Sequence, residues 1–226
     1  MNQEELKKKV GIESAKYIKD GMIVGLGTGS TARHMIEEVA RRVREENLNI
    51  VGVTTSNETT KLAKSLGIPL KEIDEVPFVD VVIDGADEIS ADFQGIKGGG
   101  AALLFEKIVA SYAKRVIWIV DKSKMVNYLG EFPLPVEVVK YGSENLFRLF
   151  EDKGYNPTFR MNKNEKLTTD GGHYIIDLHL GKIKEPLALS DELSKTVGVV
   201  EHGLFTNMVN VVIVGKEEVV ETLVAR

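Results

Sequence analysis

The chain contains no cysteine among its 226 residues. A disulfide framework, a thiolate nucleophile and a zinc–thiolate site are therefore excluded. A chain of this length buries enough surface to fold without such staples. Long apolar runs are also missing. The segments Val116–Val120 and Val209–Val214 are far shorter than the roughly 18 residues that a membrane span requires, and no membrane partner is expected. There is no excess of positive charge: the net charge is −5, which argues against a general nucleic-acid binder with its basic face. It does not exclude a small anionic ligand, because local lysines and backbone amides can oppose the global sign. The histidines, His34, His173, His179 and His202, do not cluster and show no metal-ligand spacing, so no metal is expected. The opening Met1-Asn2-Gln3-Glu4-Glu5 is polar and acidic with no apolar stretch behind it. That reads against a secretory leader and, with the missing cysteine, toward the cytoplasm.

What is present is ordinary for a globular chain, 43% hydrophobic and 28% charged, which is incompatible with wholesale disorder. The length suits one domain or two. Asn2 is the expected cap of a first helix reaching Lys19, with Glu4 and Glu5 at its positive end and Asp20-Gly21 as its stop. Strand 22–26, a glycine-rich turn at 27–31 and a helix to Glu45 follow, the helix marked by Met35, Ile36, Val39 and Val43. The rhythm repeats with strand 50–54, helix 56–66, strand 78–84, helix 101–113 and strand 115–120. Strands that alternate with helices and are apolar on both faces indicate a parallel sheet covered on both sides. In such sheets ligands lie beyond the carboxyl ends of the strands.

Past Glu131-Phe132-Pro133 the order becomes strand 135–139, helix 143–153, strand 156–160, a hairpin around 162–172, strand 173–180, helix 185–195 and strand 197–201. This βαββαβ order is ferredoxin-like. Segment 209–215 reads as a buried strand and Lys216–Ala225 as a short helix, both rejoining the first domain. The expected architecture is an open, mostly parallel, Rossmann-like α/β sheet with helices on both faces, plus a smaller ferredoxin-like α+β domain. Residues 1–130 and 206–226 form the α/β substrate-binding domain and 131–205 the small one.

Four loops and one helical residue could carry chemistry. Gly25-Leu26-Gly27-Thr28-Gly29-Ser30-Thr31 joins a strand to a helix, so amides and hydroxyls at a helix start could take a phosphate. It is neither a P-loop, lacking the lysine, nor a dinucleotide fingerprint, since Ser30 replaces the third glycine; an ordinary capped turn is the alternative. Asp84-Gly85-Ala86-Asp87-Glu88 follows an apolar strand, and its carboxylates could bind sugar hydroxyls, act as base, hold a metal or simply face solvent. Lys97-Gly98-Gly99-Gly100 exposes a run of amides directly before a helix, an arrangement suited to an anion or a developing oxyanion. Glu106 lies in the most apolar stretch of that helix. It is either a solvated helical residue or a partly dry general base. Lys124, in Asp121-Lys122-Ser123-Lys124, is either a solvated loop lysine or one that reaches a phosphate.

Taken together, these motifs, with Gly130-Glu131-Phe132-Pro133-Leu134-Pro135-Val136-Glu137-Val138 and Gly203-Leu204-Phe205, resemble the type A ribose-5-phosphate isomerase family over nearly the whole chain. The resemblance implies an aldose–ketose isomerase that interconverts D-ribose 5-phosphate and D-ribulose 5-phosphate in the pentose phosphate pathway, through an enediolate and without metal or organic cofactor. It implies that Thr28, Gly29, Ser30 and Thr31 lie at the substrate, with Ser30 and Thr31 on the phosphate. Asp84, Gly85, Ala86 and Asp87 would meet the sugar, the two aspartates assisting ring opening. Lys97, Gly98, Gly99 and Gly100 would line the reacting end, Glu106 would accept the proton, and Lys124 would bind substrate. A homodimer or homotetramer is implied as well. The rivals are coenzyme A transfer, with Glu106 as nucleophile, sugar-phosphate deamination, and a sugar-phosphate sensor without turnover.

Overall fold

The computed structural model describes residues 3–217 and 219–225; the expected cap Asn2 lies outside them. In chain order the elements are α1 (Gln3–Ala15), β1 (Ile23–Leu26), α2 (Ser30–Glu45), β2 (Val51–Thr54), α3 (Asn57–Ser65), β3 (Val81–Asp84), β4 (Glu88–Ser90) and β5 (Gly95–Ile96). Then come α4 (Leu103–Ser111), β6 (Val116–Asp121), β7 (Met125–Val126), β8 (Leu134–Val138), α5 (Ser143–Asp152), β9 (Pro157–Phe159), β10 (Met161–Asn162) and β11 (Glu165–Lys166). The chain closes with β12 (Tyr174–Leu178), α6 (Pro186–Ser194), β13 (Val199–His202), β14 (Leu204–Phe205), β15 (Val211–Lys216) and β16 (Val219–Val224). Among the described residues no helix is long and apolar enough to cross a membrane.

The chain divides into two compact units, one of 1–86, 105–124 and 208–226, the other of 87–104 and 125–207. The sequence reading set its cuts at 130/131 and 205/206. Residues 87–104 group with the second unit because β4 pairs with β7 and β5, and β5 pairs with β14.

The first unit holds a six-stranded sheet in the order β16-β15-β6-β3-β1-β2, parallel except for its last member β16. Its central strands β3 and β6 are buried throughout, as their apolar runs anticipate. Met35, Ile36 and Val39 of α2 pack with Val10 of α1 and with Ile83, Ile117 and Ile213 of the sheet, each such side chain contributing about 1.5–3 kcal/mol by burial. The order places β2 on one side of β1 and β3 on the other. The chain thus reverses direction between β1 and β3, and the carboxyl ends of these two neighbours form the crevice where a ligand is expected.

Two expectations are overturned here. α1 ends at Ala15 instead of reaching Lys19, because the chain tightens there into turns in which the Tyr17 and Ile18 amides donate to the Ser14 and Ala15 carbonyls. Lys216–Ala225 is not a helix: Val219–Val224 is a strand, antiparallel to β15 in the register Val211↔Val224 to Lys216↔Val219. Val219, Val220, Thr222 and Val224 are β-branched, which favours a pleated surface over a helical one, and β15 would otherwise present an unpaired row of amides and carbonyls.

In the second unit β8-α5-β9-β12-α6-β13 realises the βαββαβ order, as an antiparallel sheet β13-β8-β12-β9. The β10–β11 hairpin is inserted between β9 and β12. Its core is Leu134, Val136, Val138, Phe150, Ile176, Leu178 and Leu193. A second small sheet, β14-β5-β4-β7, occupies a stretch that reads from sequence as loop.

Candidate active site

In the first unit the loop after β1 and the loop after β3 are tied together. Asp84, the last residue of β3, is only 3% exposed. Its Oδ1 accepts the Thr28 amide at 2.9 Å and the Gly85 amide at 2.8 Å. Gly27 makes this approach possible, since a Cβ there would stand 2.6 Å from Asp84 Cα. The Thr28 hydroxyl bonds to Thr55 Oγ1 at 2.7 Å and Ser56 Oγ at 2.8 Å. Thr59 Oγ1 donates to the Gly27 carbonyl at 3.0 Å. These hydroxyls stiffen the loop from behind.

Gly29, at φ 107°, caps α2 with no side chain, so the first-turn amides at Ser30 and Thr31 carry no side-chain cap. Both hydroxyls sit on the turn where the helix dipole favours an anion. Glu106 is in the first turn of α4 and is 6% exposed, which excludes the solvated alternative for this residue. Lys124 ends a short 3-10 turn directly after β6. β6 is the parallel neighbour of β3, so this lysine leaves the sheet at the same carboxyl edge as Asp84. Burial raises the pKa of the Asp121 carboxyl, but the hydroxyl and amide of Ser123, with Gln3 and Lys124, outweigh it and hold the group below its usual range. The turn that carries Lys124 is therefore braced by an ionised Asp121.

In the second unit Asp87 and the glycine run are joined. The Gly99 amide donates to Asp87 Oδ2 at 2.8 Å, and a Cβ on Gly99 would come within 2.6 Å of Asp87 Oδ1. Gly98 takes φ 101°, and a Cβ on it would lie 2.8 Å from Leu103 Cβ. Lys97 is 3% exposed. Its amide donates to the Gly203 carbonyl at 2.9 Å, and its Nζ lies 5.3 Å from the Phe205 ring centroid. Glu88 serves the backbone instead, its oxygens accepting the Gly130 amide at 2.7 Å and the Phe132 amide at 2.6 Å.

Gly85, Ala86 and Gly100 lie where their motifs place them, in the turn after β3 and at the end of the glycine run. Three groups escaped sequence reasoning. Thr55, Ser56 and Thr59 had a signal, hydroxyl residues at the carboxyl end of a second parallel strand. Phe205 was legible only as part of a motif. Arg160, whose side chain reaches the carbonyls of Gly98 and Gly99, had none, because 61 residues separate it from Gly99.

Comparison with known proteins is consistent across sequence and structure. A family model described as ribose 5-phosphate isomerase A (phosphoriboisomerase A) matches residues 51–219. The chain is 71% identical over 219 residues to ribose-5-phosphate isomerase A of Enterococcus faecalis, covering 96% of this chain and 97% of that one. The solved structure of ribose 5-phosphate isomerase A from Methanocaldococcus jannaschii superimposes with a TM-score of 0.94 at 41% identity, covering 99% and 100% of the two chains. A D-ribose-5-phosphate isomerase in complex with phospho-erythronic acid superimposes with a TM-score of 0.96 at 37% identity, again over 99% and 100%.

Proposed function

This chain belongs to the ribose 5-phosphate isomerase A family, and we propose that it runs the family's reaction with the Glu106 carboxylate as proton carrier. The enzyme interconverts D-ribose 5-phosphate and D-ribulose 5-phosphate, a step of the pentose phosphate pathway. The observation that carries the reading is the full-length likeness to an isomerase that holds phospho-erythronic acid. That four-carbon phosphorylated acid ends in a planar carboxylate, an anion of the kind that a planar enediolate also presents.

The chemistry follows from what the reaction requires. The aldose must first open, and Asp84 and Asp87 contact the sugar and assist the proton movements of ring opening. Glu106 then takes the proton from C2. The electrons of that C–H bond form a C1–C2 double bond, and the carbonyl pair moves onto O1 as an oxyanion. Lys97 and the amides of the glycine run that Asp87 does not take up stabilise this charge, the kind of interaction that lowers the barrier most. Glu106 returns its proton to C1, O2 gives up its hydrogen as the C2 carbonyl forms, and O1 is reprotonated. The protein ends as it began. Burial of Glu106 suits this role, because a partly dry carboxylate is more basic than a solvated one. Ser30, Thr31 and Lys124 grip the phosphate, and this remote binding energy fixes C1 and C2 against the base. The reading takes the enzyme to work in the cytoplasm as a homodimer or homotetramer, without metal or organic cofactor and without a nucleic-acid partner.

Turnover in heavy water tests the carrier. Ketose formed from ribose 5-phosphate should carry deuterium at C1. Glu106→Gln should lose kcat by roughly 10²–10⁴-fold, the span usual for a positioned acid–base group, while KM stays close to that of the parent enzyme. Unimpaired turnover in Glu106→Gln would assign the proton transfer to another residue.

A further inference from the structure

Three consecutive glycines have little stiffness of their own, yet donors that stabilise a developing oxyanion must be held in place before the charge appears. The geometry points to Arg160 as the positioning residue that holds this run. The inference rests on the reading of Lys97 to Gly100 as the reacting end.

Arg160 follows β9, and its backbone is anchored on both sides: its amide donates to the Ile175 carbonyl and its carbonyl accepts the Leu167 amide, both at 2.9 Å. The side chain is 16% exposed and its partner Asp177, on β12, is 13% exposed. Nε reaches Asp177 Oδ2 at 2.9 Å and Nη2 reaches Oδ1 at 2.5 Å. This two-pronged pairing fixes the plane of the guanidinium. The remaining arm, Nη1, donates to the Gly98 carbonyl at 2.6 Å and to the Gly99 carbonyl at 3.2 Å.

A trans peptide is planar, with its C=O and N–H on opposite edges. Pinning the Gly98 oxygen therefore sets the direction of the Gly99 N–H, which meets Asp87 Oδ2 at 2.8 Å. Pinning the Gly99 oxygen sets the direction of the Gly100 N–H, which must face away from Arg160. One rigid cation thus orients two successive amides, the Gly99 N–H that holds Asp87 and the Gly100 N–H that is left for the oxyanion, and by drawing charge onto the two carbonyl oxygens it makes both stronger donors. In this role Arg160 acts through the run.

The test uses the full-length enzyme with ribose 5-phosphate as substrate and phospho-erythronate as inhibitor. Arg160→Met and Arg160→Lys should both lose kcat, Arg160→Met by about 10–100-fold, a fraction of the loss typical for removing an oxyanion donor outright. Arg160→Lys should fall between, since it restores the charge without the planar fork. KM should barely move in either variant, because the phosphate grip is elsewhere. The inhibition constant for phospho-erythronate should weaken in step with kcat. A purely structural role would lower the thermal midpoint and leave kcat and the inhibition constant of the folded fraction unchanged, and that result overturns the proposal. If Arg160→Met does not fold, Asp177→Asn carries the test, with a smaller loss of the same kind; parent-like kcat there overturns it. Lys97→Met separates the two levels. Loss of kcat in Lys97→Met beside parent-like kcat in the Arg160 variants keeps the reading of the run and overturns only the role of Arg160. Parent-like kcat in Lys97→Met overturns both.

Discussion

Three acids stand within five residues at the end of β3, and each has a different fate. Asp84 is buried and takes two backbone amides on one oxygen. Asp87 takes the Gly99 amide. Glu88 bonds the amides of Gly130 and Phe132. The sequence singles out Asp84 and Asp87 and gives Glu88 no role, yet a carboxylate on a turn does not announce which amides will reach it. What was legible was their place, directly after an apolar strand. The glycines were legible for a different reason, since only close backbone approach makes a side chain intolerable. Gly27 shows this most sharply, where a Cβ would meet the Asp84 backbone at 2.6 Å. Gly27→Ala is accordingly expected to cost about 1–3 kcal/mol, the usual penalty for overpacking, and to lower kcat/KM as the Thr28–Asp84 bond is pushed apart. Thermal unfolding and steady-state kinetics on the same preparation check both effects.

Among the elements, those with strong periodicity formed as expected. α2 runs Ser30–Glu45 and buries the face that holds Met35, Ile36 and Val39. The elements that went astray are short or at an edge. β4, β5, β7 and β14 have two or three residues each, too few to show a period. β16 departs from the helix expected there because its β-branched residues favour a strand only once the open edge of β15 is there to pair with. α3 offers a local test. Ser56 caps it, accepting the Thr59 amide at 3.0 Å, and also accepts the Thr28 hydroxyl at 2.8 Å. Ser56→Ala should lower stability by about 1 kcal/mol, the usual value of such a cap. It should also raise KM, because the loop after β1 loses one of its struts. A drop in thermal midpoint without any change in KM would mean that the hydroxyl cluster supports the helix alone.

Taken as a whole, the molecule carries a core in each unit, and its stability depends on pH at both ends of the scale. Lys153 holds the Glu192 carboxyl below its ordinary range, and burial is opposed in the same way at Asp121 by Ser123. Groups lowered in this way stabilise the fold above their unfolded pKa and lose that contribution as pH falls through the folded value. Stability should therefore decline below about pH 4, and Asp121→Asn should flatten part of that acid limb. Tyr155 works in the opposite sense. Burial and the Glu192 carboxylate, 2.9 Å from its hydroxyl, push the phenol from 10.0 up to about 12. A raised pKa favours the protonated fold, so its contribution is complete below pH 10.0 and is lost as pH rises toward about 12. Tyr155→Phe should remove that alkaline loss, read by denaturant unfolding at pH 9, 10 and 11. An unchanged alkaline limb would remove Tyr155 as its source.

The amino-acid sequence alone determined the alternation of strands and helices, the switch to a βαββαβ order, and which loops bear glycine, acid and lysine. These are local properties: periodicity, turn chemistry and spacing act over a few residues and need no partner. Only the tertiary structure decided that Lys216–Ala225 pairs as an edge strand, that Thr55, Ser56 and Thr59 back the loop after β1, and that Arg160 and Asp177 clamp the glycine run. Each of these depends on hydrogen-bonding groups far apart in the chain being satisfied together, and no short stretch of residues carries that information.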